Sequence, residues 1–570
     1  MRIKFFKLIL YTLFIFLGVY IFYLQVLRGP YYRQLSKHNS IRIIPEEGAR
    51  GRIFDRNFNV LVDNYLSFDV FILTQHIKEK DKTLAELSSI LNISEGELRQ
   101  RLNKRYIAPF LPVNVAQNLD RKQAIRIEMY NYQLPGVILR ARPRRHYPYG
   151  KLASQVIGYL SEIDYWRLEK LKDYGYKARD IVGYAGVEER YDYYLRPTEG
   201  GLQVEVDSRG RFKRALGYKY SLNGKDIQLT LDINLQKIVE ENLAGNKGAV
   251  ILMDPSTGEI LAMASFPDFN PEIFFERSPL QLQKIFNDPD APLLNRGISA
   301  SYPPGSVFKL ITAMAGLMSG KIGLSTTYHC PGNMRIGRRI FGCWDTHGTQ
   351  NIFQAITHSC DVFFYHTALA VGPQNLYEYA VKFGLGRYTG IDLPGEVNGF
   401  IPSPASRKAK RNQGWFDGDT ANFAIGQGEV LVTPLQAVRL MSVFANGGYL
   451  VTPYIVKSID GKDVSSNRRR IQPVPVNRDY INIVYRALRG PVAEPGGTAS
   501  ILNIAKVAIA GKTGTAQASG GQPHSWFVGF FPYPNPKFAI CVLLEHGGSS
   551  HYACMITKKI IERMIEENLL

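Results

Sequence analysis

The chain has 570 residues, with 69 Lys plus Arg against 50 Asp plus Glu and a net charge of +19. An apolar share of 45% and a charged share of 21% belong to a folded globular protein and argue against a disordered or fibrous one. Five cysteines, an odd number, argue against a complete disulfide framework.

Leu8 to Leu27 is an uncharged run long enough to cross a bilayer. No small-x-small cleavage site follows it, so it reads as an uncleaved anchor behind a short cytoplasmic tail, residues 1–7. Arg2, Lys4 and Lys7 precede the span and Arg28 and Arg33 follow it, which places the remainder outside the cytoplasm. Nucleic acid is therefore not an expected partner. The cationic excess suits an anionic membrane surface or a cell-wall polymer, and equally a merely soluble basic surface.

Residues 31–220 are polar, rich in Arg and Tyr, and mixed in pattern. "GRIFDRNFNVLV" predicts two short strands about a turn at Asp55 to Asn59. "KTLAELSSILNISEGELRQRLNK" predicts two helices, the second capped by Ser94. "GYAGVEERYDYYLRPTEGG" predicts one helix between glycine breaks.

Residues 224–570 form the second region. Asp232 is positioned to cap the helix through "INLQKIVEENL", and "GAVILMDPSTGEILAMAS" predicts a hairpin. Strand signals then vanish for a long helical and loop stretch. They return at "KVAIAGKTGTAQ", "SWFVGFFPY" and "KFAICVLLEHG", before a last amphipathic helix. The pattern predicts an α+β fold with one five-stranded antiparallel sheet flanked by helices.

Three clusters carry candidate chemistry. Ser306 and Lys309 open an apolar helix after Pro303-Pro304-Gly305 and share a helix face, a hydroxyl beside a candidate base. Alone, they also read as a capping Ser and a Lys whose amine reaches solvent. Ser359 and Asp361 precede a second apolar helix. Lys512, Thr513, Gly514 and Thr515 lie on a late strand, where Gly514 leaves one face open to a ligand backbone.

In this order the clusters resemble the Ser-x-x-Lys, Ser-x-Asn and Lys-Thr-Gly set of penicillin-recognising serine enzymes. "RGRIFDRN", "YAGVEERYDYYL", "LTLDINLQ", "PPGSVFKL" and "GDTANFAIGQGEVLVTPLQ" extend the likeness over nearly the whole chain, to class B penicillin-binding proteins. Asp361 in place of Asn resembles the elongation-type members, the penicillin-binding protein 2 group. Phe58 departs from the group, standing where its turn usually has Gly. The spacer between Trp344 and His347 is also short.

The resemblance implies an anchored enzyme with a non-catalytic pedestal domain of mixed α/β character, residues 31–220. It implies a transpeptidase domain, residues 224–570, acting on peptidoglycan stem peptides and trapped by β-lactams. Ser306 is then the nucleophile and Lys309 its base, which needs a neutral amine. Ser359 relays the proton, Lys512, Thr513 and Thr515 bind the substrate carboxylate, and Gly514 belongs to the same substrate- and β-lactam-binding strand. Acyl transfer itself needs no cofactor. A SEDS-family glycosyltransferase and the elongation scaffold protein are the implied partners. A D,D-carboxypeptidase, a β-lactam sensor or hydrolase, and a non-enzymatic scaffold share parts of the pattern.

Cys330, Cys343, His347 and Cys360 fall close together, and three thiols with an imidazole make a closed tetrahedral zinc set. A disulfide with one free thiol, or three inert core cysteines, are the competing readings. Cys541 and Cys554 read as small core residues.

Overall fold

The computed structural model describes residues 2–77, 79–106, 112–207, 212–276, 279–466, 470–518 and 520–570. The N-terminal helix spans Arg2–Phe22 and continues as a π-helical turn, Tyr23–Leu27. Residues Ile3–Leu27 are long and apolar enough to cross a membrane. The chain forms two compact units, each assembled from separate stretches: 1–51, which includes this helix, 64–145 and 196–224 in the first, 52–63, 146–195 and 225–570 in the second.

In the first unit, strands Ile41–Glu46, Gly200–Val206 and Phe212–Lys219 form an antiparallel sheet. Helices Lys80–Leu91 and Glu95–Arg105 follow the expected pattern, and the Ser94 hydroxyl accepts the Glu97 N–H. Leu84, Leu87, Leu98 and Leu102 bury against Val70, Ile72 and Val115.

The second unit is built on five strands: β1 (Gly248–Met253), β2 (Ile260–Phe266), β3 (Ala510–Ala516), β4 (His524–Phe531) and β5 (Phe538–Leu544). Their order is β2-β1-β5-β4-β3, antiparallel throughout, with β3 at one edge. Five helices matter for the site: α1 (Ile233–Leu243), α2 (Lys309–Met318), α3 (Asp361–Val371), α4 (Pro434–Ala445) and α5 (Ser550–Glu566).

Alternation along the strands divides the core in two. Val250, Leu252, Phe527 and Val542 face α1 and α5, joining Leu235, Val239 and Ile560. Ile251, Trp526, Val528 and Cys541 face the opposite way, joining Leu310, Met314, Phe363 and Met441 of α2, α3 and α4. Both faces are covered, so the strands read as continuous apolar runs rather than as alternation.

Two details differ from the sequence reading. The interval between β2 and β3 is not strand-free: Tyr328–Cys330 pairs with Gly348–Gln350, and Asn333–Ile336 with Arg339–Gly342. Strands of three or four residues are too short to show a period. The expected helix after Gly183 breaks at Tyr191 into Gly186–Arg190 and Asp192–Leu195.

The Asp55 turn shows why glycine would suit position 58. Asp55 Oδ1 accepts the N–H groups of Asn57 and Asn59, both at 2.8 Å, and Oδ2 accepts that of Ile233 at 3.2 Å. The turn so fixed requires φ = 65° at Phe58, a conformation that favours glycine.

Candidate active site

Ser306 lies on a 3₁₀ turn, Gly305–Phe308, that runs directly into α2, rather than on the α-helix itself. In 3₁₀ geometry residues three apart eclipse one another, so Ser306 and Lys309 share one edge. Gly305 has φ = 55°, and a Cβ there would sit 2.7 Å from the Thr515 carbonyl oxygen. Across the contact, a Cβ on Gly514 would sit 2.8 Å from the Pro304 carbonyl oxygen. One glycine on each side lets the turn lie flush on β3. The bare face at Gly514, expected to admit a ligand backbone, is occupied by Pro304 and Val307 of the chain itself.

Ser359 is where the three clusters meet. Its Oγ accepts from Lys512 Nζ at 2.7 Å and from Lys309 Nζ at 3.1 Å, and its carbonyl oxygen accepts from Lys309 Nζ at 2.7 Å. Two lysine N–H donors use both lone pairs of the hydroxyl, leaving its own proton free to be donated. Ser359 is buried with φ = 55°, outside the usual range for a residue with a Cβ. Such strain persists only where surrounding contacts over-determine it, and here two lysines do so.

Lys309 and Lys512 are fully buried. Lys309 has a counter-ion, Asp361 Oδ1 at 2.8 Å, at the first turn of α3. Burial pushes the Asp361 carboxyl up, against the pull of Lys309. Among the described residues, Lys512 hydrogen-bonds to neutral oxygens, those of Ser359 and Thr513. Burial, and then the nearby charge of Lys309, hold its amine well below the ordinary lysine range.

Thr515 is exposed beside this group, while Thr513 is buried and donates to Thr498 Oγ1 at 2.7 Å. Gln427 donates to the Thr515 carbonyl at 3.3 Å. Sequence reasoning missed Thr498 and Gln427. Both sit in Gly-rich loops, "PGGTAS" and "IGQGEV", whose turn character alone marked them.

Cys330, Cys343, His347 and Cys360 come together with their ligand atoms all within 4.8 Å of one another. All five cysteines are free thiols, so the disulfide reading does not describe this structure. His347 Nδ1 lies 3.4 Å from Cys343 Sγ and 3.7 Å from Cys330 Sγ. Ligand–ligand edges of a tetrahedral zinc site, with Zn–S near 2.3 Å and Zn–N near 2.0 Å, are roughly 3.3–3.8 Å. The donor set therefore fits the metal in chemistry, and its two His347 edges fall within that range. A hydrogen bond with Cys360 lowers the Cys343 thiol, and the same bond raises Cys360, so Cys343 is the first of the pair to ionise.

Comparison with known proteins agrees with this geometry. The penicillin-binding protein transpeptidase domain family matches residues 248–566, and the penicillin-binding protein dimerisation domain family matches residues 45–229. The Escherichia coli K12 peptidoglycan D,D-transpeptidase MrdA is 32% identical over 95% of this chain and 90% of its own length. A Helicobacter pylori PBP2, solved in complex with MreC, superposes with a TM-score of 0.83 at 29% identity, covering 93% of this chain and 99% of that one. A chain from a structure on the coordination of polymerization and crosslinking by a peptidoglycan synthase complex gives 0.74 at 29% identity, covering 98% and 97%. With a sheet-edge Lys-Thr-Gly strand, a Ser-x-x-Lys turn flush against it and matches along nearly its whole length, the chain belongs to the penicillin-binding protein transpeptidase family.

Proposed function

We propose that this chain is a peptidoglycan D,D-transpeptidase that cross-links stem peptides through an acyl-enzyme on Ser306. The observation that carries the reading is the convergence of two buried amines, from separate clusters, on the Ser359 hydroxyl. Ser306 attacks the penultimate D-Ala carbonyl and expels the terminal D-Ala. Lys309 takes the Ser306 proton, and Asp361 balances the charge that forms on it. Ser359 passes its own proton to the leaving amine and takes in return, from Lys309, the proton that came from Ser306. Lys512 with the hydroxyls of Thr513 and Thr515 receives the substrate carboxylate. The amine of a second stem peptide then takes the acyl group.

Cys330, Cys343, His347 and Cys360 would hold one structural zinc. With four protein ligands such an ion supplies rigidity and has no open position for water. Residues 31–220 serve as a pedestal without chemistry of their own, and residues 224–570 as the transpeptidase domain. The N-terminal helix anchors the chain in the inner membrane with the catalytic unit in the periplasm. The solved PBP2–MreC complex and the peptidoglycan synthase complex support two partners, an elongation scaffold protein and a SEDS-family polymerising enzyme.

Intact mass after treatment with a fluorescent penicillin, followed by peptide mapping, tests the reading. One adduct on Ser306, absent from Ser306→Ala, is the expected result. An adduct on Ser359, or none, overturns it.

A further inference from the structure

The segment leading to Ser306 is held at few points. Pro303 and Pro304 have no N–H to donate. The Tyr302 backbone exchanges hydrogen bonds with Val432 at 2.8 and 2.9 Å, and Gly305 N–H reaches the Gly426 carbonyl at 3.1 Å. Trp526 Nε1 donates to the Pro303 carbonyl at 3.0 Å. A further tether is a side chain: Tyr302 OH donates to Glu545 Oε1 at 2.6 Å.

Glu545 is a rigid post for that bond. It directly follows β5, an interior strand of the sheet, and its N–H donates to the Lys247 carbonyl at 2.7 Å. Its carboxylate also takes Arg296 Nε at 3.0 Å and faces Lys247 Nζ at 3.4 Å. Arg296 is buried and spends its other donors on the carbonyls of Asp290 and Ala291. The carboxylate is thus fixed by two cations, and its backbone by the Lys247 carbonyl, before the phenol reaches it. A short bond to an ionised acceptor is among the stronger neutral-donor contacts a protein makes. The Tyr302 ring in turn stands edge-on to Trp526, at 6.3 Å between centroids, and to His524, at 5.3 Å. The indole that holds Pro303 therefore leans on a ring whose far end is pinned to Glu545.

We infer that Tyr302 and Glu545 are positioning residues, which set the place of the Ser306 hydroxyl through the phenol–carboxylate bond, the Trp526 indole and the Pro303 carbonyl. Neither touches the reacting atoms. The inference rests on the acyl-transfer reading above, because it concerns delivery of Ser306 to an acyl donor.

The test uses the full-length chain in detergent and a fluorescent penicillin, separating the non-covalent dissociation constant from the first-order acylation constant. Tyr302→Phe keeps the ring and its packing and removes only the hydroxyl. It should lower the acylation constant on the order of tenfold, part of the roughly 100-fold that a 1 Å misplacement costs, with the dissociation constant unchanged. Glu545→Gln keeps an oxygen for the phenol but loses the charge facing Arg296. It should lower Tm yet acylate faster than Glu545→Ala. Adding Tyr302→Phe to Glu545→Ala should cost nothing further, since the bond is already gone. Wild-type acylation on Ser306 establishes the parent reading in the same experiment. Given that result, a Tyr302→Phe acylation constant equal to wild type, or a change confined to the dissociation constant, overturns the inference alone.

Discussion

The Asp361 backbone N–H donates to Cys343 Sγ at 3.2 Å. On the same residue the carboxylate takes Lys309 Nζ at 2.8 Å. One residue thereby joins the thiol cluster to the buried lysine, and Cys360, a member of the thiol cluster, lies in sequence between the two residues that Lys309 contacts, Ser359 and Asp361. Purified protein should carry close to one equivalent of zinc by metal analysis. Chelation, or Cys343→Ser, should lower both Tm and the acylation rate. Zinc below roughly 0.1 equivalent, together with a mapped disulfide inside the cluster, would end the zinc proposal.

Gly514→Ala tests the seating of the Ser306 turn. Its Cβ would fall 2.8 Å from the Pro304 carbonyl oxygen and 3.1 Å from Val307 Cγ2. Backbone on one side and a packed branch on the other leave the turn no route but outward. Acylation should fall on the order of 100-fold, with a smaller loss of Tm. Stopped-flow acylation beside a thermal melt measures both, and an unchanged rate refutes the account.

Phe58→Gly should stabilise the protein. Phe58 is exposed and held at φ = 65° by the Asp55 turn. Relief of that strain is worth about 1 kcal/mol, and the added chain entropy of glycine returns part of it. Chemical denaturation should show a net gain of about 0.5 kcal/mol, with acylation unaffected.

Glu240 gives the second unit a pH dependence. Its carboxylate accepts the Ala153 N–H and the Gln236 side-chain amide, both at 2.7 Å, and burial raises its pKa to about 7. Between the ordinary carboxylate range and pH 7 the folded state binds the proton that the unfolded state has lost. Stability from this group is therefore complete at low pH and falls as pH rises towards 7. Glu240→Gln should flatten the fall in Tm between about pH 5 and pH 8. An equally steep fall in the variant would place the effect elsewhere.

Much of the site was legible because it is written locally. Pro303-Pro304-Gly305 announces a turn, Leu310 and Met314 announce the buried face of α2, and Gly514 marks a close approach. What came close at Gly514 was not legible, since Pro304 is some 200 residues away and no period encodes that contact. The same limit hid Gln427, whose partner Thr515 lies 88 residues on; Thr498 and its partner Thr513 are only 15 apart, but no period links a loop hydroxyl to one on the next strand. It also hid the passage of segments 52–63 and 146–195 into the second unit. Asp55 reaching Ile233 N–H, and Glu240 reaching Ala153 N–H, are the kind of long-range bond that places them there.

The strand order has a consequence for synthesis. β1 and β2 are made early, yet β1 takes its second neighbour from β5, and β3 completes the sheet edge only near the chain's end. At about 5–20 residues per second, the roughly 240 residues between β2 and β3 take on the order of 10–50 s to appear. Throughout that time β1 has one finished partner strand, and Val250 and Leu252 have no covering helix α5. The nascent hairpin is thus an adhesive surface with a long exposure, and a chaperone-depleted cell should lose this protein to aggregation before it loses shorter sheets that close at once.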